Sequence, residues 1–196
     1  MKNNNTQQLE EDIFDFILFS QALCKKAKDI FDLMKSNQPN EIKEKMEYIN
    51  DSNVHLLQLT GNLFMNQCVI ELGGLLDKDS RCKTLKELIK AKNLGSSETD
   101  LDRIIKHFED KNLLDIRNKF IAHRDKNTTG GPTSIIFSTY KSEIISNCES
   151  IIDEIIEFWV KYIGARPGNN MFLDKLENID ESVELLLNNT KAQIKK

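Results

Sequence analysis

Residues 113–126 read LLDIRNKFIAHRDK. Five of the first nine are apolar, and they recur at the three- and four-residue steps of a helix that buries one side. At about 100° per residue, Leu113, Leu114, Ile116, Phe120 and Ile121 cover one broad arc. Arg117 falls near the centre of that arc, with Asn118 and His123 on opposite edges. A buried charge without a partner is strongly unfavourable. Arg117 must therefore find a carboxylate, extend its guanidinium to solvent, or face a surface that a second chain covers. In a purely structural role, Glu71 is the expected carboxylate partner, and His123 is a helix-end cation favoured by the helix dipole.

Working outward, the same periodicity recurs along the chain. Leu9, Ile13, Phe16, Ile17, Leu23, Ala27, Ile30, Phe31 and Met34 predict a first helix over 9–35, broken by SNQPN at 36–40. A second helical region is expected over 41–76, with a possible interruption at Asp51–Ser52–Asn53. From Val54 onward it is apolar on more than one face, as a central helix is. Gly61, Gly73 and Gly74 are costly inside a helix and mark close packing or the helix end. TLKE at 84–87 has the form of a capping box, opening a short helix over 84–92 that Asn93–Leu94–Gly95 stops. Ser97 to Asp100 offers a cap for a further helix over 98–124, which carries the opening stretch. KNTTGGP (126–132) is a loop, and SIIF (134–137) is either a short strand or the approach to a helix. From Ser138 an isoleucine ladder, Ile144 to Ile156, runs to Trp159 and ends at Gly164 and Pro167. RPGNN then forms a linker to a short amphipathic helix over 180–194. The expected fold class is all-α, an antiparallel helical bundle of long helices. It occupies 1–165, with 166–196 as linker and C-terminal amphipathic helix.

The chain has 196 residues and a formal charge of −4, which disfavours a general polyanion-coating protein. Between Arg103 and Lys126, however, seven cations oppose four carboxylates, a local net charge of +3. Four scattered cysteines (Cys24, Cys68, Cys82, Cys148), without a CxxC pair, read as reduced thiols of a cytoplasmic protein. No metal site or other cofactor is expected. Asp77 and Asp79 read as helix-end and loop polarity, and His55 as structural. His107, a little over four turns before His123 on one helix, cannot join it in one chain. The N-terminus lacks the apolar core of a signal peptide, and no run approaches a membrane span.

The order Arg117–Asn118, five residues, His123 resembles the signature of the HEPN superfamily. There an Arg and a polar residue precede a His near the end of a helix in a small bundle. Together with GGLLDKDSRCKTLKELI (73–89), the stretch looks like the AbiU-type HEPN-like domain of abortive-infection systems, over residues 10–165. The resemblance implies an endoribonuclease of a defence or toxin system that needs no metal, acting as a homodimer whose facing motifs share one site. It leaves room for a neutralising or regulatory protein partner. Some toxins of the superfamily carry a modifiable Tyr two residues after the His; here Asp125 stands there.

The residue types suit that chemistry. Cleaving RNA through its own 2′-hydroxyl needs a base for that proton, an acid for the leaving oxygen, and a cation on the phosphate. His123 titrates near neutrality and can be base or acid, a role worth roughly 10²–10⁴-fold. Arg117 offers a charged fork matched to phosphate oxygens, and Asn118 can orient either. Lys119, Arg124 and Lys126 can track the RNA backbone, or be solvated charges beside a loop. Asp125 can hold the His123 ring or make a local turn contact. The alternative function is a non-catalytic HEPN-like module that binds nucleotide, RNA or a partner protein.

Overall fold

The computed structural model describes residues 2–36, 51–77, 83–118 and 141–164. Six helices and no strand occur among them. α1 is Lys2–Ser36, α2 Asp51–Leu75, α3 Leu85–Lys92, α4 Glu98–Asp110, α5 Leu113–Asp115 and α6 Lys141–Tyr162. The all-α bundle expected from the sequence is the architecture found. SIIF, KNTTGGP, RPGNN, the helix over 180–194 and the expected start of the second helix at 41–50 lie outside the described residues.

The α1 and α2 stripes meet in antiparallel register. Ser20 O accepts from the Cys68 thiol, and Gly61 lies against Ile30 and Phe31. α6 also runs antiparallel to α1: Cys24 donates to Ile145 O, while further along Phe14 stacks on Trp159 at 5.1 Å. Between these three helices lies one continuous core, including Ile13, Ile17, Val69, Leu72, Ile151 and Ile155. Isoleucines four apart on α6 are buried because they fall on one face. Cys24, Cys68 and Cys148 are free buried thiols. Contact with the Cys148 and Cys24 thiols, together with burial, pushes the Cys68 thiol well above its ordinary pKa.

α3 begins as its sequence predicts: Thr84 is extended, and its hydroxyl accepts from Glu87 N at 3.1 Å. It ends in a Schellman motif on left-handed Asn93, with Leu94 N bonded to Ile89 O and Asn93 N to Lys90 O. Lys92–Glu10 and Lys83–Asp12 ion pairs tie this corner to α1. α4 packs antiparallel on α6 through Leu101, Ile104, Ile105 and Phe108. Its exposed side joins α6 twice, at His107–Glu154 and at Asp100, which accepts from Lys161 Nζ and Tyr162 Oη at 2.7 Å each. α6 closes at Gly164, φ +101, whose N–H bonds Trp159 O.

The structure corrects the sequence reading in three places. α1 starts at Lys2 rather than residue 9. The Ser97 hydroxyl bonds back to Leu94 O instead of capping α4, and Gly95–Ser97 forms a 3₁₀ turn. The helix expected over 98–124 is broken after Asp110. Extending the buried stripe of Phe108 by three and four residues would aim Lys111 and Asn112 at the core. Instead Asn112 takes φ 57, its N–H bonds Glu109 O, and the chain restarts so that Leu113 is fully buried. Residues 116–118 continue as a wider, π-type turn.

Candidate functional site around Arg117

Two chain segments build this corner, the C-terminal end of α2 and the turn after α5. Leu113 anchors the turn in the core, with Leu114 and Ile116 packed partly against it. Arg117 then projects across α2. Its aliphatic stem lies over Gly73: a Cβ built there would overlap Arg117 Cδ and stand 2.9 Å from Nε. Its Nη2 donates to Asp77 Oδ2 at 3.1 Å. Gly73 lies in the last turn of α2 and Asp77 just past its end, the first leaving room for the stem and the second receiving the head. The Arg117 and Asp77 side chains are 23% and 27% exposed, so the pair sits at the edge of the core, open to water on one side.

Arg117 therefore resolves its position among apolar neighbours by packing its methylenes and pairing its charge. The partner is not Glu71, the carboxylate expected under the structural reading. Glu71 accepts from Gln67 one turn back on its own helix. Asp77, expected to be mere helix-end polarity, is the residue the sequence reading missed. The available signal was its place just past the paired glycines, Gly73 and Gly74, at the end of α2. Among the described residues, Arg117 has this one hydrogen bond, so its Nε and Nη1 donors have no protein partner there. Asn118 follows, half-buried.

His123, Lys119, Arg124 and Lys126, the remaining expected site residues, lie outside the described residues, as do Asp79 and Asp125. His107 is occupied by Glu154, away from any role beside Arg117. The basic segment that begins at Arg103 is not a basic stripe on α4. Arg103 and Lys106 share its exposed surface with Asp102, Glu109 and Asp110. Among the described residues, no three His, Cys, Asp or Glu side chains are grouped to hold a metal ion. No helix among them is long and apolar enough to cross a membrane. Compared with family models, curated proteins and solved structures, the chain matches none.

Proposed function

We propose that the chain is a HEPN-like endoribonuclease of a defence or toxin system, working in the cytoplasm as a homodimer. The observation that supports this reading is the placement of Arg117. It is a guanidinium held at the bundle's edge, whose Nε and Nη1 have no acceptor among the described residues, beside Asn118 and six residues before His123 in the sequence. A cation meant only to neutralise Asp77 gains little at such a half-wet position, whereas one meant for a phosphate must stay reachable.

In this mechanism His123 removes the 2′-hydroxyl proton. The 2′-oxygen attacks phosphorus, and the bond to the 5′-oxygen breaks. The His123 of the second subunit returns a proton to the leaving oxygen, which gives a cyclic phosphate and a 5′-hydroxyl. Arg117 neutralises the phosphate oxygens as charge builds on them, and Asn118 orients them. Lys119, Arg124 and Lys126 follow the neighbouring phosphates. The acid–base steps need no metal.

The test is total RNA incubated with the protein in EDTA. Wild type is expected to cleave, leaving 2′,3′-cyclic ends. His123→Ala should lose roughly 10²–10⁴-fold of that rate. Sedimentation that shows only monomer at micromolar concentration would remove the shared site. The Arg117–Asp77 pair itself favours a second reading, a non-catalytic module in which Arg117 is structural. RNA binding without cleavage by wild type would select it.

A further inference from the structure

We infer that Gly73 and Asp77 are positioning residues: together they aim the donors of Arg117 that Asp77 does not take at a single-stranded RNA phosphate. This rests on the reading of Arg117 as a phosphate ligand. An arginine side chain has four rotatable bonds, and an exposed one samples many directions. Here two constraints act on it. Gly73 leaves a groove on α2 that receives the stem. Even one added methyl would occupy the space of Cδ and crowd Nε. Asp77, just past the end of α2, accepts from Nη2 and fixes the rotation of the guanidinium plane. Asp77 takes one of the two Nη2 hydrogens, and neither Nε nor Nη1 has a protein acceptor among the described residues. Nη2 contributes one hydrogen to each of the guanidinium's two forks, with Nε on one side and with Nη1 on the other, so a single bond to Asp77 leaves the second fork complete for a bidentate phosphate. The carboxylate also sets a condition on the ligand. A second anion must approach on the side away from Asp77, so the ligand's phosphate adds to the ion pair rather than replacing it. Single-stranded RNA is the ligand class, because the neighbouring Asn118 offers an amide to a sugar or phosphate oxygen and the proposed chemistry needs a 2′-hydroxyl.

The experiment reads the Arg117 Nε–H resonance of the full chain by NMR, assigned by its loss in Arg117→Lys. It is followed while a 2′-O-methyl RNA dodecamer is added, a probe that has the phosphates but lacks the attacking oxygen. A resolved Nε–H signal that shifts on adding the dodecamer is expected for wild type. In Gly73→Ala and Asp77→Asn the signal should merge with those of the mobile arginines, and the dodecamer should bind roughly tenfold more weakly. Asp100→Asn, which removes a comparable carboxylate elsewhere, controls for stability and should leave both unchanged. An Arg117 signal as well resolved in both variants as in wild type overturns the proposal. So does a wild-type signal that the dodecamer does not move. Wild type that binds the dodecamer through Arg117 yet cleaves no RNA removes the ribonuclease reading and leaves the positioning role standing.

Discussion

Gly73 and Arg117 occupy each other's space: the absent side chain of one is filled by the stem of the other. Their energies are therefore coupled, and the sign of the coupling can be stated. Gly73→Ala gains helix propensity, up to about 1 kcal/mol and less near a helix end. It also ejects Arg117 from its pair with Asp77, at a cost of up to about 1 kcal/mol for so exposed a pair. In the wild-type background the two nearly cancel, and the urea midpoint should hardly move. In an Arg117→Ala background only the gain remains, and Gly73→Ala should stabilise by roughly 0.5 kcal/mol. Additive effects across the double-mutant cycle would contradict the coupling.

Gly61 presents the opposite case. A Cβ there would stand 3.1 Å from Ile30 Cγ2 and from two ring carbons of Phe31, all in the packed α1–α2 seam. These neighbours are buried and have little room to yield. Gly61→Ala should therefore destabilise by about 1–2 kcal/mol despite its better helix propensity. Chemical denaturation followed by the fluorescence of Trp159, the single tryptophan, measures it.

Asn112 holds φ 57 at the break after α4. Left-handed backbone costs a β-carbon residue roughly 1 kcal/mol, and asparagine and glycine least. Asn112→Ala should lose about 1 kcal/mol, and Asn112→Gly should match or exceed wild type. If alanine were tolerated as well as glycine, the chain would not need that turn.

Hydrogen bonds from Lys161 first, and from Tyr162, hold the Asp100 carboxyl below its ordinary pKa. A carboxylate depressed in the folded state contributes stability that is present above its unfolded pKa and is lost as pH falls through the folded one. The wild type should thus lose stability on acidification below about pH 4 more steeply than Asp100→Asn. The mirror effect lies in alkali. The same bond raises the Lys161 pKa, so its contribution fades as pH rises past that value. Parallel slopes for wild type and Asp100→Asn in acid would show that the bond does not form in solution.

Asp15 runs against this pattern. Burial, then the charges of Asp12 and Glu11, push its pKa up. At neutral pH its ionised form therefore opposes folding, and Asp15→Asn should raise the thermal midpoint slightly.

The bundle was legible in the sequence because its signals are local. Thr84 and Glu87 announce the start of α3, the isoleucine ladder fixes the buried face of α6, and Gly164 marks its end. The break at Asn112 was harder to read. Its cause is a clash of phase: the stripe of Leu101, Ile104, Ile105 and Phe108 reaches Lys111 and Asn112 where it needs apolar residues. Periodicity judged from the composition of 98–124 as a whole conceals that slip. The importance of Arg117 was visible from its apolar neighbours, but its partner was not. Glu71 and Asp77 are both acidic residues of one segment, and choosing between them depends on which way the turn after α5 carries the arginine. That direction comes from the break itself, so one missed boundary cost the other assignment.

The thiols of Cys24, Cys68 and Cys148 sit in the seam where α1, α2 and α6 meet. Thiolate is the form that alkylating reagents attack, and the raised Cys68 pKa withholds it while the helices stay together. The core thus contains its own opening gauge. The rate at which maleimide captures these sulfurs, followed by mass spectrometry, would time the parting of three helices without an added label.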